Sequence, residues 1–241
     1  MDDLKGTSGG EGNEPISLVA FKYAVTPFRA QTAFCGDSSG TYITVGWLFY
    51  LLQYRGHNIL IDTGAGDPAP FRKYGFHLDA FREPVRLLGD YGLKPEDISD
   101  VIITHLDFDH IADIHHYTDA DIYINSAEMQ ARGERIENKN KVHTFDTSMR
   151  LYDMFTIEHV GGHTVGSSIV TFPYGEREYV LAGDECYVNA SLEKGIPTGN
   201  SFDPEKSRAF VEKYSRPEYM VWFCHEPSVV EGDTGYRVIL P

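Results

Sequence analysis

The sequence predicts an α/β fold in which strands and helices are arranged in layers. Apolar runs typical of strands alternate with segments whose apolar residues recur at helical spacing, and no composition break divides the chain. Imidazole and carboxylate side chains follow the ends of several predicted strands, which is where layered α/β folds form their sites. The 241 residues are enough to bury a sizeable core.

The first predicted strands are the clearest. Residues 16–25 (ISLVAFKYAV) are rich in apolar and β-branched side chains and predict a strand. Residues 41–64 predict two further strands, and the sequence Arg-Gly-His-Asn at 55–58 separates them as a turn. We therefore expect a β-hairpin here.

A loop rich in glycine and proline follows at residues 64–77. Its aromatic side chains, Phe71, Tyr74 and Phe76, make it a candidate lid or pocket wall, because loops on a rigid scaffold often carry binding residues. A loop packed on the surface explains the same pattern equally well.

The remaining predicted elements alternate along the chain. The helix at 204–216 begins with proline in its first turn, a favoured position for that residue. The predicted helices are 81–93, 110–117, 126–139 and 204–216, and the predicted strands are 98–104, 120–125, 155–160, 167–172, 178–183, 217–224 and 236–240. We expect residues 1–15 to be a flexible lead-in and residues 16–241 to form one domain.

Charge and cysteine content exclude several classes of partner. The net charge is −15 and the sequence contains no Lys/Arg cluster, which disfavours nucleic acid and an anionic membrane surface. The longest apolar run, residues 45–52, is too short to cross a bilayer. Residues 1–15 contain no apolar signal-peptide core. Three cysteines without CxxC spacing favour a reducing compartment, and we predict the cytoplasm.

Four segments combine strand ends with side chains that bind metals. They are residues 105–110 (HLDFDH), 161–164 (GGHT), 183–185 (GDE) and 224–226 (CHE). A mixed set of imidazoles and carboxylates suits Zn, Mn, Fe or Co, whereas Ca and Mg prefer oxygen ligands alone. Singly, such residues are more often turn or hydrogen-bonding residues. Together, and in this order, they predict a metal site.

From residue 16 to its end, the chain resembles the metallo-β-lactamase-fold hydrolases. The resemblance rests on the strand end IDTG at 61–64, the segment PEDISDVIITH at 95–105, HxDxDH at 105–110, GGHTVGS at 161–167 and GD at 183–184. It implies a four-layer αββα sandwich with a pair of metal ions at one edge. It also implies a small-molecule substrate.

The resemblance assigns a role to each ligand position. It implies two divalent metal ions, Zn first, bound by His105, Asp107 and His163 at metal one, by Asp109, His110 and His225 at metal two, and by Asp184 as the bridge. Asp62 matches a family residue that orients the metal-binding loops through hydrogen bonds.

The chain departs from the family pattern at two places. Asp107 stands where the family usually has histidine, and Ile-Ala-Asp at 111–113 replaces small residues that are often Gly-Gly. A third carboxylate beside Asp109 and Asp184 should make bound water less acidic and the metals weaker Lewis acids. It also makes Mn or Fe more competitive against Zn. A weak first position, leaving one metal or none, stays open.

The residues favour hydrolysis in which a metal-bound hydroxide attacks a carbonyl or phosphoryl centre. Tyr187 lies three residues after Asp184, as a tyrosine does in the quorum-quenching N-acyl-homoserine lactone lactonases that this chain resembles. That likeness implies catalytic roles for Asp109 and Tyr187 and a lactone or small ester as substrate. A tyrosine of the core remains the alternative for Tyr187.

Other residues near these motifs have simpler explanations. Cys186 and Cys224 flank ligand positions, but inert buried packing is the better interpretation. His115 and His116 are expected on the surface of the predicted helix at 110–117.

Three other functions fit the same sequence. The first is another hydrolase of the fold: a β-lactamase, a thioesterase of the glyoxalase II type or a phosphodiesterase. The second is a diiron redox protein, disfavoured because the chain has no appended flavin-binding domain. The third is a non-catalytic binding protein, disfavoured because all seven ligand-type positions are filled. The oligomeric state does not follow from the sequence.

Overall fold

A computed structural model describes residues 15–136 and 141–241 of the chain. Residues 1–14, which make up nearly all of the predicted lead-in, lie outside the described residues. So do the last residues of the helix predicted at 126–139. Within the described ranges, no helix is long and apolar enough to cross a membrane.

The described residues form two β-sheets. The strands are β1 (Ser17–Arg29), β2 (Tyr42–Tyr54), β3 (His57–Ile61), β4 (Ala80–Phe81), β5 (Asp100–Ile102), β6 (Asp121–Asn125), β7 (Val142–Phe145), β8 (Ser148–Leu151), β9 (Phe155–His159), β10 (Ser168–Tyr174), β11 (Arg177–Leu181), β12 (Tyr219–Trp222) and β13 (Gly235–Leu240). The first sheet has the order β13-β1-β2-β3-β5-β6-β7, with β4 paired to β1, and the second has the order β12-β11-β10-β9-β8.

Helices cover the outer face of each sheet. They are α1 (Ala30–Ala33), α2 (Ala69–Lys73), α3 (Pro84–Tyr91), α4 (Phe108–Ile111), α5 (Ser126–Arg132), α6 (Asn189–Lys194) and α7 (Pro204–Tyr214). Leu87 of α3 and Ile111 of α4 pack against the first sheet, and Phe210 of α7 packs against the second.

Side-chain alternation along the strands separates three apolar layers. Neighbouring residues of β1, Leu18 and Val19, enter different hydrophobic clusters, because successive side chains of a strand point to opposite faces. The same holds for Ile169 and Val170 of β10. One cluster lies between the sheets and one lies under each helical layer. The predicted α/β fold and its four-layer αββα arrangement are therefore confirmed.

The predicted hairpin is confirmed at β2 and β3. The two strands are antiparallel and pair Tyr54 with His57. The residues between them have positive φ, 51° at Arg55 and 80° at Gly56, as a two-residue turn of type I′ requires. This turn fixes the register that ends β3 at Ile61.

Several predicted boundaries were wrong. The strand predicted at 217–224 is only Tyr219–Trp222, because β12 pairs with β11 over those four residues alone. The helix predicted at 110–117 is interrupted, since Asp113 gives its N–H to Gly64 O at 3.2 Å and its carboxylate accepts the N–H of Gly66 at 2.6 Å. Side-chain hydrogen bonds of this kind compete with a continuous helix.

Parallel strand pairs place the loops that carry the ligand-type residues. β3 and β5 are parallel and pair Ile61 with Ile102, so Asp62 and the segment 103–110 leave the first sheet at the same edge. β11 and β12 are also parallel and pair Leu181 with Trp222. The chain segments carrying Asp184 and His225 therefore leave the second sheet together.

Candidate metal centre

The seven predicted ligand side chains form two adjacent groups. Asp109, His110, Asp184 and His225 each offer a ligand atom within 4.8 Å of the others, and all four residues are buried. His105, Asp107 and His163 do the same, with Asp107 partly exposed. We call His105, Asp107 and His163 the first half-site, and Asp109, His110 and His225 the second half-site.

Asp184 lies between the two half-sites. Its Oδ2 is 3.7 Å from His105 Nε2 and 3.5 Å from His163 Nε2. Its Oδ1 is 3.2 Å from His110 Nε2 and 3.1 Å from His225 Nε2. One carboxylate oxygen therefore faces each half-site, which is the geometry of a bridging ligand.

All four imidazoles are held through Nδ1, so that Nε2 points to the centre. The partners are Thr104 Oγ1 for His105 (3.1 Å), Asp62 Oδ2 for His110 (2.7 Å), Asn200 O for His163 (2.8 Å) and Gly46 O for His225 (3.0 Å). An acceptor at Nδ1 fixes the tautomer that leaves the Nε2 lone pair for a metal.

Asp62 organises the loop that begins the HxDxDH segment. Its two carboxylate oxygens accept the Thr104 N–H and the Thr104 hydroxyl, both at 2.8 Å. The same carboxylate contacts His110 Nδ1. Asp62 itself has a φ of 64°, a left-handed conformation in which aspartate is among the better tolerated residues. One side chain therefore holds both ends of the segment 104–110, namely Thr104, which precedes His105, and the candidate ligand His110.

The donor set fits divalent metal ions. His105 Nε2, His110 Nε2 and Asp184 Oδ1 are buried and make no hydrogen bond within the described part of the chain. Burying such groups without a partner costs roughly 1–3 kcal/mol each, and all three point into the centre. Imidazole nitrogens mixed with carboxylate oxygens suit Zn, Mn or Fe.

Electrostatics in the centre favour cations. Burial alone would lower the pKa of His163, but its hydrogen bond with Asp107 and the charge of Asp184 outweigh burial and raise the pKa to about 9. Against burial, the carboxylates of Asp109, Asp184 and Asp62 raise the pKa of His110 well above its ordinary value. The same negative field attracts a divalent ion, which competes with protons for the imidazole nitrogens.

Arg132 is a residue of the centre that sequence reasoning missed. Its Nη2 donates to Asp107 Oδ1 at 2.6 Å, and both side chains are about 30% exposed, Arg132 at 29% and Asp107 at 30%. The sequence suggested an uncompensated third carboxylate. The positive charge of the Arg132 guanidinium compensates the negative charge of Asp107, so the third carboxylate adds little net charge to the centre.

The centre opens into a cavity of about 410 Å³. Its polar wall includes Asp109, Asp184, Tyr187 and Arg132. Its apolar wall is aromatic and consists of Phe28, Trp47, Tyr74, Phe76 and Phe108.

The aromatic loop was predicted as a lid, a pocket wall or a surface loop. Tyr74 and Phe76 line the cavity as a wall, and Tyr74 is 55% exposed. Phe71 instead lies fully buried in α2. It packs edge-on against Phe108, with ring centroids 5.0 Å apart, so it supports the wall from behind.

The family is decided by a match over most of the chain. The family model described as the metallo-beta-lactamase superfamily matches residues 48–225. The chain belongs to the metallo-beta-lactamase superfamily. Among curated proteins, none matches it significantly.

Solved structures share this superfamily fold at low identity. An N-acyl homoserine lactone hydrolase with N-hexanoyl-L-homoserine at its catalytic metal centre is 18% identical, with a TM-score of 0.77 over 89% of this chain and 95% of that one. A probable metal-dependent hydrolase from Staphylococcus aureus is 20% identical, with a TM-score of 0.76 over 95% and 98%. A dizinc quorum-quenching lactonase is 17% identical, with a TM-score of 0.68 over 94% of each chain.

Tyr187 lies on the cavity wall between the half-sites. Its ring centroid is 5.0 Å from that of His225 and 5.8 Å from that of His163. Asn200 Nδ2 lies 3.4 Å from the Tyr187 hydroxyl oxygen and donates to it. Burial and then the charge of Asp184 raise the pKa of Tyr187 well above its ordinary value. The phenol therefore stays protonated and offers an O–H donor beside the centre.

Two buried glutamates hold the loops of the metal centre. Glu128 of α5 accepts the N–H of Leu106 at 2.9 Å, the N–H of Gly166 at 3.0 Å and the hydroxyl of Thr164 at 2.7 Å. Glu185 accepts the N–H of Gly162 at 3.1 Å and that of His163 at 3.3 Å. Neither role was predicted, because a single acidic residue in a helix or turn carries no local signal of burial.

The cysteines and the histidine pair lie outside the cavity lining. Cys186 and Cys224 are buried, and burial raises the pKa of the Cys186 thiol to about 12 and that of Cys224 well above its ordinary value. Neither thiol lines the cavity among the described residues. His115 and His116 are exposed on a short 3₁₀ turn.

Proposed function

We propose that this protein is a metal-dependent hydrolase that opens a lactone ring or cleaves a similar small ester. The observation that carries the proposal is Asp184, whose two oxygens face two half-sites lined by inward-pointing Nε2 atoms. We also propose that residues 16–241 act as one domain. Pairing of β13 with β1 supports this, because it joins the two ends of the described chain in one sheet.

The proposed ligands are those of the two half-sites, with Asp184 shared between them. When bound, two divalent cations supply a nucleophile from water at neutral pH and polarise the oxygen under attack. Zinc is our first choice, and Mn or Fe remain candidates because Asp107 adds a hard oxygen donor.

The chain's own groups complete the chemistry. The Asp109 carboxylate lines the cavity, and we assign it the proton released by the attacking water. The Tyr187 hydroxyl, whose oxygen accepts from Asn200, has its own hydrogen available for the substrate carbonyl oxygen. As negative charge develops on that oxygen, a donor held in this way stabilises it.

The cavity favours a small ester with an apolar group. Its aromatic wall, including Trp47 and Phe108, provides an apolar surface next to the polar centre. Similar folds include two enzymes named as lactone hydrolases, which supports a lactone over a thioester, a phosphodiester or a β-lactam. Action on N-acyl-homoserine lactones, and hence quorum quenching, is the specific form of this proposal, and the cytoplasm is the proposed location.

A substrate panel tests the proposal. Purified protein loaded with Zn or Mn would be assayed against an N-acyl-homoserine lactone, a simple γ-lactone, a glutathione thioester, a phosphodiester and a β-lactam, with Asp184→Ala as the matched inactive control. We expect kcat/KM to be highest for one of the lactones. A lactone rate equal to that of Asp184→Ala would overturn the proposal. So would faster hydrolysis of another class.

A further inference from the structure

Arg132 and Asp107 form an ion pair at the edge of the first half-site. The Arg132 guanidinium donates to one carboxylate oxygen of Asp107, Oδ1, at 2.6 Å. The other oxygen, Oδ2, faces His163 Nε2 at 3.2 Å and His105 Nε2 at 3.5 Å. The two oxygens of Asp107 therefore have different partners: Oδ1 contacts the arginine, and Oδ2 faces the metal position.

We propose that Arg132 is the positioning residue that allows an aspartate to act in a position usually filled by histidine. Paired with the guanidinium, Asp107 presents one ligand oxygen and contributes almost no net charge, as a neutral imidazole would. This inference rests on the proposed function, since it requires Asp107 to be a metal ligand. It assigns Arg132 a role toward the metal ion through Asp107, without contact between the guanidinium and the ion.

Helix α5 holds the guanidinium in this position. Glu128 lies one helical turn before Arg132, and its Oε1 is 3.8 Å from Arg132 Nη1. Glu128 is fully buried, and donors from Leu106, Thr164 and Gly166 already satisfy it. Asp107, at 2.6 Å, is therefore the closer partner of the arginine. The same glutamate accepts the N–H of Leu106, the residue before Asp107. One side chain of α5 therefore contacts both Arg132 and the loop that carries Asp107.

The pair changes the expected result of restoring the family histidine. Considered alone, Asp107→His should strengthen Zn binding. With Arg132 present, that substitution leaves a guanidinium without its closer anion beside a metal position, and like charges repel. The histidine should become favourable only when the arginine is also removed.

A double-mutant cycle tests the pair. The proteins are wild type, Arg132→Met, Asp107→His and Asp107→His/Arg132→Met, and the measurement is Zn and Mn affinity by competition with a chromophoric chelator. Removing the arginine should lower the affinity for the more weakly held ion when Asp107 is present and raise it in the Asp107→His background, so that the two effects differ by at least about tenfold. A smaller difference would mean that the positions act independently and would overturn the inference.

Three controls keep the cycle interpretable. Arg86→Met removes one positive charge from an exposed pair with Glu83 and should leave both affinities unchanged. Arg132→Lys keeps the charge but loses the planar fork, so it should retain more metal affinity than Arg132→Met. Thermal unfolding of each metal-free variant reports whether the fold is intact. Wild type that binds no metal would refute the proposed function, whereas wild type that binds two ions with an additive cycle would refute this inference alone.

Discussion

The two half-sites use similar ligands in different surroundings. The second half-site is buried throughout, and Asp62 holds its His110. The first half-site has one side chain, Asp107, that is 30% exposed and paired with a guanidinium. Burial and a direct carboxylate–imidazole contact fix ligands before a metal binds, whereas an exposed ion pair exchanges with water. We therefore expect the second half-site to hold its ion more tightly.

Removing Asp184 should weaken metal binding in both half-sites, because each of them loses a ligand oxygen. We expect Asp184→Ala to bind fewer than one metal ion per chain and to lose at least about 100-fold in kcat/KM, more than outer hydrogen-bonding partners typically supply. Metal analysis after gel filtration, together with lactone turnover, measures both. Two ions retained with normal turnover would show that Asp184 bridges nothing.

Removing one ligand at a time should distinguish the metal ions of the two half-sites. A chelator should release metal from wild type in two phases, the faster from the first half-site. His163→Ala should eliminate the fast phase and spare the slow one, and His225→Ala should do the opposite, each weakening one ion by more than about 100-fold. Release followed by a metallochromic dye measures the phases. If both variants change the same phase, the division into half-sites is wrong.

Asp62 tests whether hydrogen bonding behind the ligands explains the tighter half-site. Asp62→Asn keeps the shape but removes the charge that contacts His110 and the Thr104 hydroxyl. We expect metal affinity in the slow phase to fall about 10- to 100-fold, with the fast phase less affected.

The matched control for Asp62 is Asp100→Asn. Asp100 is a buried carboxylate that begins β5 and accepts from Ser99 and Tyr152, away from the metal centre. Its substitution should lower the melting temperature without changing metal affinity. Equal losses of affinity in the two variants would attribute the effect of Asp62 to general destabilisation.

The sequence predicted the residues that meet in the candidate metal centre because their signals are local. The six-residue HxDxDH segment and the strand ends before His163, Asp184 and His225 could be identified within short windows, and parallel strands then bring such ends together. The strands β7 and β8 were missed because they are four residues each and include polar side chains. Their pairing in the sheets, not their propensity, makes them strands.

Arg132 could not be found in this way. It lies 25 positions from Asp107 and appears in the sequence as an ordinary helical arginine. Arg132 becomes part of the metal centre only because α5 packs beside the loop that carries Asp107. The negative charge of Asp107 is therefore compensated by a cation from another element, which the composition of the HxDxDH motif alone does not include.

Tyr187 lies near both half-sites and should distinguish catalysis from metal binding. Tyr187→Phe removes the hydroxyl that accepts from Asn200 but keeps the ring against His225 and His163. We expect kcat for the lactone to fall about tenfold, less than for a complete oxyanion site because the metals provide most of the charge stabilisation. Metal release from Tyr187→Phe should still show both the fast phase and the slow phase.

Tyr117→Phe is the control for this smallest effect. The Tyr117 hydroxyl is buried and makes no hydrogen bond to the described residues, and it lies outside the cavity of the metal centre. Its removal should leave kcat unchanged. A fall in kcat for Tyr187→Phe alone, with two ions still bound, would assign the hydroxyl to the substrate. Unchanged turnover in both variants would make Tyr187 a residue that only packs between the half-sites.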